Sequence, residues 1–197
     1  VGVIIDEADA FMGDRSEEGD SGTSNRIFAQ FATQMGDTKY RGKILWFLLT
    51  CRPDLLPVDI KRQGRVEVHI PLFYPQTSEE KVQLVLAMSR KQKWEVAAPD
   101  VDSKWLEGKK VSGADIESLL VAAKRKSLLD GDSKPKRHYL ELAALDFIPA
   151  TSAVEVLYQE LAAVIECTDR SFLPEEYRKA DRADLLKEFR RLQALLS

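Results

Sequence analysis

The first seven residues constrain this chain most. Val1-Gly2-Val3-Ile4-Ile5 is a short apolar run, and it breaks abruptly into Asp6-Glu7. A run that short, rich in Val and Ile, reads as a strand buried on both faces. Such a strand cannot carry ionised carboxylates along its middle, because desolvating them is costly. It can carry them at its carboxyl end, where an open α/β sheet leaves a crevice for ligands. Two readings fit Asp6 and Glu7 there. In one, Asp6 holds Mg²⁺ largely through water, and Glu7 orients and polarises an attacking water. In the other, a strand end is followed by an exposed acidic turn.

Composition narrows the class. A chain of 197 residues holds one domain or two small ones. With 44% hydrophobic and 31% charged residues, it reads as a globular protein rather than a disordered one. A net charge of −3 gives no broad attraction to nucleic acid or to an anionic membrane. Cys51 and Cys167 have no metal-ligand spacing and point to a reducing, cytoplasmic setting. No apolar run approaches the ~20 residues needed to span a bilayer, and no stretch reads as a signal peptide. The chain opens inside a core strand, so it reads as part of a longer protein.

Residues 13–23 are polar and glycine-rich and read as a mobile loop. Ser24 or Asn25 then caps a helix predicted to run to about Met35, with Ile27, Phe28, Phe31 and Met35 at helical spacing. Lys39 to Lys43 form a charged turn. Ile44 to Leu49 read as a second doubly buried strand, ending at Thr50-Cys51-Arg52-Pro53-Asp54 because Pro53 cannot continue a central ladder. A helical turn is expected around Pro57–Lys61, and Val66 to Leu72 alternate like a third strand. At Phe73-Tyr74-Pro75 the pattern changes to helical spacing. Thr77-Ser78-Glu79-Glu80 and Ser112-Gly113-Ala114-Asp115 are capping boxes opening two helices. The first should turn Val82, Val85, Leu86 and Met88 inward, the second Ile116, Leu119, Leu120 and Ala123. A short helix is expected from Asp100 or Ser103, and a further one from Tyr139 to Ile148, stopped by Pro149. Amphipathic helices over about Ala153–Cys167 and Asp181–Leu196 complete the chain.

Three segments combine into one pattern: Ile4-Ile5-Asp6-Glu7; Thr50-Cys51-Arg52-Pro53-Asp54-Leu55-Leu56 with Arg62-Gln63-Gly64-Arg65; and Ser112-Gly113-Ala114-Asp115-Ile116. Together they resemble the AAA+ ATPase family, and more narrowly its AAA branch. There the Walker B strand reads apolar-apolar-Asp-Glu. The second region of homology reads Thr-Asn-Arg-Pro-Asp-x-Leu, then Arg-Pro-Gly-Arg, and the lid carries Ser-Gly-Ala-Asp. Arg26-Ile27-Phe28-Ala29-Gln30 and Thr33-Gln34-Met35 match the helix between Walker B and sensor 1. The resemblance covers about residues 1–150.

The resemblance implies an α/β fold: a partial P-loop NTPase (AAA+) parallel-sheet core over residues 1–74, an α-helical lid over 75–150, and a helical extension over 151–197. It implies ATP hydrolysis, with ATP and Mg²⁺ as cofactors, by a full-length parent that remodels a protein or other macromolecular substrate within a hexameric ring of identical subunits. Asp6 looks like the Mg²⁺ residue and Glu7 like the catalytic glutamate. Arg62 and Arg65 are similar to arginine fingers, which reach the γ-phosphate bound by a neighbouring subunit and stabilise charge developing there. Leu84 and Met88 occupy positions that line the adenine pocket. Gly113 and Ala114 match the sensor 2 position, where glycine lets backbone approach the nucleotide closely. Residues 13–23 fall where the second pore loop lies. Plainer readings are a solvated pair for the arginines, lid core for Leu84 and Met88, an ordinary helix start at Gly113, and a connector for 13–23.

Two departures matter. Sensor 1 is normally Asn, and here Cys51 stands there with a weakly hydrogen-bonding thiol. Either Thr50 or Arg52 substitutes, or hydrolysis is slow. Neither His69 nor His138 is placed by sequence to make Cys51 a nucleophile. Second, no Gly-x-x-x-x-Gly-Lys-Ser/Thr loop occurs in this sequence, so the chain alone is expected to be inactive. In the family's sheet that loop's strand lies beside the last strand, which leaves Val66–Ile70 with an unpaired edge, an association hazard. Asp6-Glu7-Ala8-Asp9 also spells the signature of DEAD-box helicases, but their Ser-Ala-Thr motif and second parallel-sheet domain have no counterpart here. The remaining alternative is a degenerate AAA module that scaffolds or binds without hydrolysis.

Overall fold

The computed structural model describes residues 1–12, 21–148 and 152–196, with the side chains at 11, 21–28 and 103 outside the described set. The chain forms two compact units, Val1–Leu72 with Ala153–Ser197, and Phe73–Ser152.

The first unit is built on two parallel strands, β1 (Gly2–Ile5) and β2 (Leu45–Leu48), paired from Gly2 with Leu45 to Ile5 with Leu48. The pairing continues past both strands, since the Leu49 N–H donates to Ile5 O and the Ala8 N–H to Leu49 O, each at 2.9 Å. One face of the pair meets helices α1 (Ala8–Met12) and α2 (Ser21–Gly36). Ile5, Trp46 and Leu48 turn inward onto Ala8, Met12, Ala32, Met35, Leu56 and Ile60. Phe31 meets Trp46 edge to face at 5.7 Å. On the other face Ile4, Leu45 and Phe47 are exposed, Ile4 at 68%. The expected burial on both faces is therefore corrected. A parallel strand is doubly buried only where something covers each face, and among the described residues one face alone is covered.

The segment from Val66 to Leu72 also departs from expectation. It is extended but joins no strand among the described residues, and Val68 and Ile70 are exposed. Period-two alternation gives the side-chain pattern of a strand, but a ladder needs a neighbour to accept its N–H groups. Here the His69 N–H donates to the Thr168 hydroxyl instead, at 2.9 Å. The loop expected over 13–23 is helical from Ser21, because α2 begins earlier than a cap at Ser24 or Asn25 would allow. Residues 13–20 lie outside the described set, and so do the side chains of Ser24, Asn25, Ile27 and Phe28.

The helical turn expected near Pro57 is α3 (Val58–Lys61). Three helices belong to the same unit from farther along the chain: α7 (Ala153–Glu166), α8 (Glu175–Lys179) and α9 (Arg182–Leu196). α7 and α9 bury Tyr158, Leu161 and Leu192 between them, and Asp181 caps α9 by accepting the Ala183 and Asp184 N–H groups. The turn at Arg170–Phe172 and α8 had no signal in the apolar spacing.

The second unit is helical. α4 (Ser78–Lys91) opens on the reciprocal cap of Thr77 and Glu80, and α5 (Gly113–Leu129) on that of Ser112 and Asp115. α6 (Arg137–Asp146) packs on α5. Val85, Trp94, Leu106, Ile116, Leu120 and Leu140 form its core. The short helix expected near Asp100 is instead two 3₁₀ turns, Ala98–Asp100 and Ser103–Leu106. Pro99 fits within the first turn, and the Asp102 side chain, accepting the Lys104 N–H, caps a second one. α6 stops at Asp146, before Ile148, and Pro149 lies outside the described residues.

Candidate functional site

Parallel pairing sets the carboxyl ends of β1 and β2 side by side, so Asp6-Glu7 and Leu49-Thr50-Cys51 leave the sheet along one edge. The chain must pass from strand to helix within two residues, since Ala8 already starts α1 and is fully buried. Glu7 absorbs this turn with φ +50°, a left-handed conformation that costs a non-glycine residue energy. Its N–H donates to Asp6 Oδ1 at 2.9 Å, and both residues are exposed. On the β2 side the Thr50 hydroxyl donates to Asp9 Oδ1 at 2.5 Å and accepts the Arg52 N–H at 2.9 Å. Cys51, between them, is a free, exposed thiol.

No group of three or more His, Cys, Asp or Glu suited to a metal occurs among the described residues. Asp6 and Glu7 offer oxygen ligands only. A cation at this edge would take most of its ligands from water and from a phosphate, which is how Mg²⁺ is usually held. The donor set therefore fits Mg²⁺ and fits neither a closed zinc nor a closed calcium site.

Beyond Cys51 the charges are paired. Arg52 donates to Asp54 through Nε at 3.1 Å and Nη2 at 2.9 Å, and the Tyr158 hydroxyl donates to Asp54 Oδ2 at 2.9 Å. Burial pushes the Asp54 carboxyl up, but the bonds from Arg52 and Tyr158 outweigh it and hold the carboxyl below its ordinary value. The hydrogen bond to Asp54 likewise raises Arg52. Burial, then the bond to Asp54, raises the Tyr158 phenol. Arg52 is thus committed to Asp54, and the Thr50 hydroxyl to Asp9.

Arg62 and Arg65 follow α3. Arg62 is exposed and lies 3.4 Å from Asp59. Arg65 donates to Asp59 O at 2.7 Å. Gly64 turns the chain between them with φ +87°, and its N–H donates to Glu67 Oε1 at 2.6 Å. No hydrogen bond or ion pair joins either arginine to Asp6 or Glu7 among the described residues. The His69 ring faces Glu166 O at 2.7 Å and Val66 O at 3.0 Å, so it is occupied away from Cys51. His138 lies against the Tyr139 ring, tilted by 43°, in the second unit.

In the second unit two of the expected nucleotide-facing residues meet. A Cβ on Gly113 would come within 2.7 Å of Met88 Cε. Leu84 and Met88 are partly buried against the helical core, and Ala114 is exposed. Sequence reasoning missed Asp9 as the partner of Thr50 and Tyr158 as the partner of Asp54. Their partners are distant in sequence, and neither spacing nor composition marks them.

Residues 3–74 match the model of the "ATPase family associated with various cellular activities (AAA)". This segment is thus similar to an AAA domain. The chain is 31% identical over 124 residues to the vesicular-fusion protein sec18 of Schizosaccharomyces pombe, covering 61% of this chain and 16% of that protein. It is 27% identical over 129 residues to a vesicle-fusing ATPase of Caenorhabditis elegans, covering 64% of this chain and 16% of the relative. It is 25% identical over 174 residues to protein mac-1 of the same organism, covering 82% of this chain and 21% of the relative. The chain thus spans about a fifth or less of these relatives. No described helix is long and apolar enough to cross a membrane.

Proposed function

We propose that this chain forms the hydrolytic half of a nucleotide core with its lid, within a longer cytoplasmic ATPase that assembles as a hexameric ring. The observation carrying this reading is the shared edge of β1 and β2, where Asp6-Glu7 lie beside Thr50-Cys51 inside the family-matched segment. Asp6 would hold Mg²⁺, which supplies charge neutralisation at the phosphates when bound. Glu7, fixed by its left-handed turn and aimed at solvent, orients a water and takes its proton. Arg62 and Arg65 serve the nucleotide of a neighbouring subunit, while Leu84, Met88, Gly113 and Ala114 line the lid side of the base and phosphates. Hydrolysis would remodel a macromolecular substrate. Two relatives are named for vesicle fusion, and the substrate class proposed here is protein.

Cys51 favours a second reading, a module that scaffolds a ring without turnover, because a thiol positions water poorly. One experiment separates the two. The longer parent carrying Glu7→Gln and the same parent carrying Arg65→Ala should each lose turnover, the latter by roughly 10³–10⁵ as for other arginine fingers. Mixing the two, with subunit exchange verified, should partly restore activity. A wild-type parent that binds ATP without turning it over would establish the scaffold reading.

A further inference from the structure

From Arg52 onward, the segment after β2 makes polar ties to one distant stretch, α7 and the residues just past its end. Tyr158 on α7 completes the Arg52–Asp54 pair, lies 5.1 Å beneath the Arg52 guanidinium and is itself stacked on Phe189 at 4.8 Å. Lys61 Nζ donates to Glu166 Oε1 at 2.7 Å and to Pro53 O at 3.2 Å, with Lys61 only 13% and Glu166 26% exposed. Just past the arginines, His69 binds Glu166 O and Thr168 through its ring and backbone. The stretch from Arg52 to His69 is thus fastened at its start, middle and end.

What lies between the fastenings is the arginine pair. Lys61 immediately precedes Arg62, and the Arg62 side chain is 61% exposed, facing an Asp59 that is itself 54% exposed. Such a surface pair holds a side chain only weakly. The backbone beneath it is fixed: Ile60 is fully buried and its carbonyl accepts the Val66 N–H at 3.2 Å. The result is a cation free to reach outward from a rigid base. That arrangement suits a group that must arrive at a developing charge within about an ångström, because a base already ordered costs little to order again.

We propose that α7 braces the arginine-bearing segment, with Glu166 and Tyr158 as positioning residues that aim Arg62 and Arg65 at a phosphate held by a neighbouring subunit. This rests on the ATPase reading for its destination, but the brace itself can be measured without it.

The test has two arms. In the 197-residue chain, amide hydrogen exchange is followed at Ile60, Arg65 and Val66, whose N–H groups are bonded within the segment. Glu166→Ala and Tyr158→Phe should speed exchange there and leave Leu119 and Leu120 unchanged. Glu166→Gln, which keeps an acceptor for Lys61, should exchange like wild type. Tyr158→Phe retains the ring stack, so it remains informative if Glu166→Ala does not fold. Unaltered exchange in both variants overturns the brace. In the longer parent, Glu166→Ala should cut kcat by about tenfold to a hundredfold at unchanged ATP affinity, as a misplaced catalytic group does, with partial rescue by Glu166→Gln. Loosened exchange with unchanged kcat, or a parallel fall in ATP affinity, overturns the positioning role. Loosened exchange in a parent whose wild type shows no turnover overturns the ATPase reading instead.

Discussion

The two units reach stability by different routes. Phe73–Ser152 closes on itself: two complete capping boxes start α4 and α5, and Val111, Ile116, Leu120 and Leu140 are shut away among helices near in sequence. Among the described residues, the unit built on β1 and β2 has a smaller apolar centre, leaves one sheet face open at Ile4, Leu45 and Phe47, and joins distant segments through Arg52, Asp54, Lys61, Tyr158 and Glu166. Helical packing between neighbours is complete within a short stretch of chain. A parallel sheet is complete only when other segments supply its faces and edges.

The strongest test of that contrast is Ile116→Ala. Ile116 is fully exposed to packing and not at all to solvent, so truncation should cost about 2–5 kcal/mol, a large share of a domain's usual stability. Denaturant unfolding followed by Trp46 in the first unit and by Trp94 and Trp105 in the second should show the second transition moving alone. If both move together, the units form one cooperative block and the contrast fails.

The same contrast explains what was legible beforehand. Thr77, Glu80, Ser112 and Asp115 announced two helix starts from spacing alone, because a cap is satisfied within four residues. Asp6 and Glu7 were readable as a strand end for the same local reason. The strand expected at Val66–Leu72 was not fixed by its alternation, since its N–H groups needed a partner that no local pattern supplies. Tyr158 looked like any apolar-face residue of an amphipathic helix, and its bond to Asp54 spans too much sequence to be read from spacing. Glu7's left-handed backbone was equally hidden, because it follows from how soon Ala8 must be buried.

Acid should weaken the first unit before the second. The Asp54 carboxyl, despite burial, is held below its ordinary value by Arg52 and Tyr158. A depressed folded value contributes stability that is fully present above the ordinary carboxylate value and is lost as pH falls through the folded one. Lowering pH from about 4 should therefore shift the Trp46 signal first. In the second unit Asp132 is also lowered, chiefly by Lys136, but that pair is at the surface and solvent screens it. Asp54→Asn should abolish the difference in acid response between Trp46 and the Trp94 and Trp105 signals. Persistence of the difference would assign it to other carboxylates.

The smallest expected effect is also the one that bears most directly on the open sheet face. Ile4 sits mid-strand in the run that reads as doubly buried, yet it is 68% exposed beside Leu45 and Phe47. Ile4→Thr keeps the β-branched shape that a strand favours and replaces the ethyl branch with a hydroxyl. In this chain the hydroxyl faces water, so stability should stay within about 0.5 kcal/mol of wild type, as for most surface substitutions. In a longer parent that covers the face, the same hydroxyl would be buried without an arranged partner, and the cost should rise to about 1–3 kcal/mol. Measuring Ile4→Thr in both backgrounds therefore reads out whether another segment completes the sheet. Equal, small effects in both would mean the face stays open in the larger protein, and the apolar run at Val1–Ile5 would need an explanation other than burial.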